Sequence, residues 1–339
     1  MSRLVTMNRR PAGWSDVELR HLVAALSRRR LLAGSAASGL FAMLAGSETF
    51  AQEATPAAGM RIVQTANGPV QVPVNPLRVV CADYYSPFAV FDAGIVPRGA
   101  IDGLASNLLP EYLDGYASLR KIGAFGEPDL EAIVDLRPDL IVGSADYSGA
   151  YDRLRAIAPT TLFDFGDSGD WPAFSESIAD AVGRRDEFAT INHIYRERAG
   201  VINKGYAATL SSTRWAIVNG AGDQWWLYNP DSSHGLVLSA AGVRFIDEVE
   251  GKAKDFVELP YEKIDLLAGA DVIIVRANSD GTVNEETRAL LDQPLFKSLK
   301  AAQAGRVFPL SALFPFSYEM AIRLLDQIEV VASILQTKS

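Results

Sequence analysis

The stretch Gly126-Glu-Pro-Asp-Leu-Glu131-Ala-Ile-Val-Asp-Leu136-Arg-Pro-Asp139-Leu-Ile-Val142 reads as a proline-marked loop, a glutamate opening a short helix, and an aspartate leading into an apolar strand. The same order returns about 130 residues later as Leu259-Pro-Tyr-Glu262-Lys-Ile-Asp-Leu266-Leu-Ala-Gly-Ala-Asp271-Val-Ile-Ile-Val275, a spacing too long for a stacked solenoid repeat. It predicts two similar lobes, each carrying the same acidic corner. Two lobes of like build leave a cleft, and clefts between lobes are where small ligands bind.

Outward from the first copy, apolar runs alternate with helical ones. Strands are expected at 78–82, 140–143 and 160–163, with helices at 87–93, 130–136 and 151–156 between them. Before these, Asn67-Gly68 between two apolar runs signals a hairpin. Residues 171–210 read as helix with one break at Gly183, and the part from Arg185 to Leu210 would span nearly 40 Å as one helix of about 25 residues, enough to bridge two lobes. Alternation then resumes, with strands at 214–219, 271–275 and 306–310, a segment at 225–228 that can pair with the first of these, and a closing amphipathic helix at 318–336. Strand–helix alternation indicates parallel α/β sheets.

The chain has 339 residues, 48% hydrophobic and 22% charged, enough for two cores. Its beginning differs from the rest. Ser27-Arg28-Arg29-Arg30-Leu31-Leu32 precedes an Ala/Gly-rich apolar stretch, and Thr49-Phe50-Ala51 offers a small-residue cleavage site. This is a twin-arginine export leader, and the apolar stretch falls short of the roughly 20 residues that a spanning helix needs. The expected organisation is a leader at 1–51, a disordered lead-in at 52–59, an N-terminal α/β lobe at 60–182, a connecting helix at 183–210 and a C-terminal α/β lobe at 211–339.

Without residues 1–51 the chain keeps 25 basic and 38 acidic residues, a net charge of −13. That balance excludes a nucleic-acid partner, which requires a basic surface. Cys81 is the single cysteine and sits in an apolar run, so no intrachain disulfide forms and no lipid attaches at the end of the leader. Beyond the leader only His193 and His234 remain, too few for a multi-histidine metal cage. There is no Gly-x-Ser-x-Gly elbow and no phosphate-cradling glycine loop, and neither histidine sits in a catalytic motif. Binding without chemistry is therefore the expectation, with an exported enzyme as the competing class, and neither a cofactor nor a metal site is expected.

The ordered set of motifs resembles the periplasmic binding proteins of ABC importers for iron–siderophore, haem and cobalamin ligands. The matching pieces are Asn67-Gly-Pro-Val-Gln-Val-Pro73, Pro76-Leu-Arg-Val-Val80, Gly94-Ile-Val-Pro97 and Gly126-Glu-Pro-Asp-Leu-Glu131 with Leu136-Arg-Pro-Asp-Leu-Ile141. Asp271-Val-Ile-Ile274, Pro294-Leu-Phe-Lys-Ser-Leu-Lys300 and Gly305-Arg-Val-Phe308 complete them, over nearly all of residues 60–339. The resemblance implies two α/β lobes joined by a single long rigid helix, a ligand cleft between the lobes, and a soluble monomer, periplasmic or associated with the cell surface. It also implies that Glu131 and Glu262, one per lobe, dock on arginines of a membrane permease. Helix chemistry alone is the other account of each glutamate, because a carboxylate suits the first turn of a helix.

Ligands of parallel α/β lobes sit beyond the carboxyl ends of the strands. That rule selects Tyr84 and Tyr85, Ser144 and Tyr147, Trp225, Trp226 and Tyr228, and Arg276; Phe316 is a further candidate suggested by the aromatics of its late loop, and Phe125 lies in a Gly-flanked loop. Arg276 ends an apolar strand, where a charge meets either a cleft ligand or a structural partner; its planar donors suit an anionic chelate. Strand alternation sends Trp225 and Trp226 to opposite faces, so one of them belongs to the cleft, and at most one of Tyr84 and Tyr85 need face it. Aromatic loops with one strong cation favour a ferric siderophore of hydroxamate or mixed type over a triply anionic catecholate. Haem or cobalamin is the alternative ligand.

Overall fold

The computed structural model describes residues 59–102, 115–124, 126–165, 170–249, 255–278 and 280–337, and Pro56–Ser339 forms one compact unit. The unit opens with an antiparallel hairpin of β1 (Met60–Thr65) and β2 (Gly68–Pro73). Its turn is Ala66-Asn67, one residue earlier than the Asn67-Gly68 expectation. Gly68 opens the second strand at φ 94°, a left-handed conformation that glycine adopts without strain.

The N-terminal lobe continues with β3 (Val79–Cys81), α1 (Ser86–Asp92), β4 (Gly99–Ala100), β5 (Arg120–Lys121), β6 (Gly123–Ala124), β7 (Glu127–Pro128), α2 (Leu130–Asp135), β8 (Leu140–Ser144), α3 (Tyr151–Arg155) and β9 (Thr160–Phe163). Its sheet has the order β5-β4-β3-β8-β9, and every pairing is parallel. Both faces are buried, as a wholly parallel sheet requires. Val79, Cys81, Leu140 and Val142 join one core, while Val80, Ala82 and Ile141 join a second on the other face with Ile101, Ile122, Ile133 and Leu154. The two-residue strands β4 to β7 were absent from the sequence reading. Segments so short carry no periodicity and exist only through their neighbours in the sheet.

Between the lobes run α4 (Trp171–Ala181) and α5 (Arg185–Gly205). They are divided at Gly183, where φ is 71° and an added Cβ would lie 2.4 Å from the Val74 carbonyl oxygen. The connecting helix is shorter than expected: 21 residues, about 30 Å. The chain leaves helical geometry at Tyr206 (φ −122°, ψ 20°) and restarts as α6 (Ala207–Ser212), which places Leu210 in the core at 1% exposure. Glycine at the last helical position makes that break cheap.

The C-terminal lobe comprises β10 (Arg214–Ala221), β11 (Gln224–Tyr228), α7 (Ser233–Ala240), β12 (Arg244–Phe245), β13 (Phe256–Pro260), β14 (Val272–Arg276), α8 (Glu285–Asp292), two short helices, β15 (Val307–Leu310) and α9 (Tyr318–Thr337). Its sheet runs β13-β11-β10-β14-β15, with β12 beside β10. β10, β14 and β15 are parallel, whereas β11 runs antiparallel between β10 and the edge strand β13. Leu259 and Pro260, expected in a loop, close β13 opposite Trp225 and Gln224. Proline is tolerated there because β13 is the sheet edge.

The lobes are tied as well as linked. One core cluster passes from Val79 and Phe88 through Trp171, Tyr195 and Tyr318 to Trp215 and Ile274. The Trp171 indole N–H donates to Ser233 O at 2.9 Å. Arg198 of α5 pairs with Asp326 (2.8 Å) and Glu329 of α9. Asp92, ending α1, accepts from the Tyr318 N–H at 2.6 Å and so caps α9 across the lobe boundary. Among the described residues no helix is long and apolar enough to cross a membrane.

Candidate functional site

Because β3 and β8 are parallel neighbours, the loops that follow them lie side by side, and Asp83 fixes both. It is fully buried and accepts from the N–H groups of Tyr85 (2.5 Å), Ser86 (2.6 Å) and Ser144 (2.6 Å). Burial pushes its carboxyl up to about 6, against the pull of those hydrogen bonds. The loop it holds presents Tyr84 and Tyr85, both half-buried, with their hydroxyls 2.6 Å apart and rings 4.0 Å apart. Tyr85 stacks on Phe165 beyond β9, with centroids 4.4 Å apart and planes 11° apart.

On the other lobe, Arg276 ends β14. No carboxylate among the described residues lies within ion-pair distance of it; its guanidinium sits 4.9 Å over the Phe314 ring. Burial lowers its pKa, and the nearby Tyr228 opposes that. A half-buried cation backed by an aromatic face and left without a counter-ion is poised for an anion from solution. Phe314 has φ 98°, a left-handed conformation rare for a bulky residue and worth about 1–3 kcal/mol of strain. Around its ring stand Tyr228 (5.6 Å) and His234 (4.9 Å), themselves 4.3 Å apart. The Tyr228 hydroxyl, His234 Nε2 and Asp255 Oδ1 are buried without hydrogen-bond partners. Burial drives the His234 imidazole down to about 3, so it is neutral, and raises the Asp255 carboxyl to about 6.

The loop after β15 joins the two halves. Phe314 lies under Arg276, and Phe316, two residues on, meets Tyr85 at 5.0 Å and Phe165 at 6.3 Å. One short segment of the C-terminal lobe thus carries one ring to each wall. The result is an aromatic surface with phenol hydroxyls on one side and the Arg276 guanidinium on the other.

Tyr84, Tyr85 and Phe316 come together in one aromatic group, and Arg276 stands beside Tyr228. Two expected contacts are corrected. Trp225 is fully buried and its indole N–H donates to Pro260 O at 2.9 Å, so it is a packing residue of the sheet. Ser144 is also fully buried; its N–H is spent on Asp83 and its hydroxyl on Asp146 (2.9 Å), so it shapes the loop and offers a ligand nothing. Trp226 keeps part of its face open, stacked on Phe256 at 4.6 Å, as alternation from Trp225 requires. Tyr228 is 1% exposed and its hydroxyl is buried too, so it backs the Phe314 ring and presents no open face to a ligand. Phe125 and the side chain of Tyr147 lie outside the described residues. Sequence reading missed Phe165, His234 and the anchoring role of Asp83, whose significance is made by neighbours distant in the chain.

Glu131 and Glu262 are exposed in the first turns of their short helices, Leu130–Asp135 and the 3₁₀ segment Tyr261–Gly269. Each helix runs back to the start of a parallel strand, so both glutamates lie toward the carboxyl ends of their sheets, the end that carries the loops above. The N-cap of the first helix is already filled by Asp129, which accepts from Ala132 N–H at 3.0 Å. Among the described residues no group of three or more His, Cys, Asp or Glu side chains is arranged to hold a metal ion. A hollow of about 320 Å³ beside α5 is lined by Glu176, Arg185, Phe188, His193 and Arg196.

Two α/β lobes on a connecting helix, with strand-end loops converging through one aromatic segment, define a two-lobed solute-binding protein. The chain belongs to the Periplasmic binding protein family, whose profile matches residues 80–312. It is similar to the Fe(3+)-citrate-binding protein YfmC of Bacillus subtilis, at 26% identity over 73% of this chain and 77% of that one. It is also similar to the petrobactin-binding protein YclQ of Bacillus subtilis, at 26% identity over 71% and 77%. The siderophore periplasmic binding protein from the fuscachelin gene cluster of Thermobifida fusca superposes with a TM-score of 0.68 at 30% identity, over 77% of this chain and 98% of that one.

Proposed function

We propose that the protein captures a ferric chelate of siderophore type outside the cytoplasm and hands it to an ABC permease. The observation that carries this is Arg276, half-buried over Phe314 with no carboxylate partner among the described residues, beside an aromatic surface built from both lobes. Such a surface takes the apolar body of a chelate, and the guanidinium takes an anionic group on it. With one strong cation at the strand ends, a hydroxamate or mixed-type chelate fits better than a triply charged catecholate. Relatives named for ferric citrate, petrobactin and ferric hydroxamate support the class. Glu131 and Glu262 serve the permease and not the ligand. Residues 1–51 serve export by the twin-arginine route and are then removed, and the released protein acts as a monomer without catalytic turnover.

Tryptophan fluorescence tests the ligand. Trp226, half-open at the site, should be quenched saturably by a ferric chelate and unaffected by free ferric ion. The same titration against haem and cobalamin covers the alternative: tight binding of haem alone, or chemical conversion of the chelate, overturns the reading.

A further inference from the structure

The strands of the N-terminal sheet are led in by arginines at the end opposite the binding loops. Arg78 precedes β3, Arg98 precedes β4, Arg120 opens β5, Arg137 stands before β8, and Arg153 and Arg155 end the helix that runs into β9. Because the strands are parallel, these residues share one edge. The backbone holds neighbours together: Arg98 N–H donates to Val79 O at 2.8 Å, Arg120 N–H to Arg98 O at 3.4 Å, and Asp139 N–H to Arg78 O at 3.1 Å. All six arginines are exposed. Arg78, Arg120 and Arg155 face Asp139 (3.7 Å), Asp135 (3.2 Å) and Asp152 (2.7 Å). Among the described residues no carboxylate lies within ion-pair distance of Arg98, Arg137 or Arg153. Among the described residues the edge therefore carries a positive excess, on a chain whose net charge is −9.

Two large apolar side chains stand in the same edge. Leu77, next to Arg78, is 74% exposed, and Val96, two residues before Arg98, is 64% exposed. A soluble polyanion has no use for them. A bilayer does: guanidinium groups meet lipid phosphates while short apolar side chains enter the acyl boundary. We propose that this edge seats the protein on a bilayer of anionic lipids. The ligand loops lie at the far ends of the same strands, so the seated protein keeps its site open. The proposal goes beyond ligand capture and does not depend on which ligand is taken.

The test is sedimentation of Pro56–Ser339, the compact unit, with vesicles of phosphatidylcholine alone or mixed with phosphatidylglycerol. Binding should require phosphatidylglycerol and weaken with salt. Each guanidinium near an anionic surface is worth about five-fold in binding, so R98Q, R137Q and R153Q together should lose about a hundred-fold. L77S with V96S should also weaken vesicle binding, and this pair keeps every charge should the arginine variant fail to fold. Binding unchanged in both variants overturns the proposal. So does L77S with V96S binding as wild type while soluble polyphosphate competes fully, which would make the edge a polyanion site.

Discussion

His234 shows what one residue contributes when its surroundings are apolar. It is fully buried against Tyr228 and Phe314, with Nδ1 3.3 Å from the Ser233 hydroxyl and Nε2 without a partner. The unfolded imidazole takes a proton below about 6.5 and the folded one only below about 3. Between those values unfolding binds a proton, so the stability present above pH 6.5 is lost as the pH falls toward 3. Against a His234→Leu variant, whose other groups titrate alike, the wild type should lose about 3 kcal/mol between pH 7 and pH 4. Urea unfolding at the two pH values measures the difference. A pH-independent gap would show that the imidazole is not held neutral.

At the scale of the element, the 311–317 loop sets strain against placement. Phe314 holds φ 98° because its ring is wanted between Arg276, Tyr228 and His234. Glycine adopts that backbone freely and alanine does not, yet both delete the ring. Phe314→Gly and Phe314→Ala should lose ligand affinity alike. The glycine variant should be more stable than the alanine one by about 1 kcal/mol, measured as paired titrations and unfolding curves. A glycine variant that bound like wild type would remove the ring from the site. The repeated helix–strand unit was legible in sequence because Asp129, Pro138 and Asp139 are local signals. The two-residue strands β4 and β5 were not, since their hydrogen bonds come only from neighbours in the sheet.

For the whole molecule, the question is which face does what. Glu131 and Glu262 stand apart from the aromatic surface in every contact described, so changing both to alanine should leave ligand affinity within about two-fold, single exposed charges being worth about 0–1 kcal/mol. Transport with the permease should nonetheless fail, because charge complementarity governs encounter and register. Arg276→Ala should do the reverse, losing affinity about ten-fold or more as a charge-assisted hydrogen bond is removed, while competing normally for the permease. Loss of ligand binding in the glutamate pair, with transport intact at saturation, would invert the assignment of faces.

What the sequence by itself determined was the two-lobe plan, the alternation of buried strands and helices, and the break at Gly183. These follow from local backbone preferences and from periodicity, both written along the chain. Which of the paired aromatics is open was decided only by the tertiary structure. Trp225 and Trp226 are chemically alike, but the register of β11 against β13 turns one inward to Pro260 and leaves the other outward on Phe256. The state of Arg276 was likewise settled by folding. A strand-end arginine is compatible with an ion pair or with an empty cleft, and only folding, which brings Phe314 under the guanidinium and no carboxylate among the described residues, decides between them.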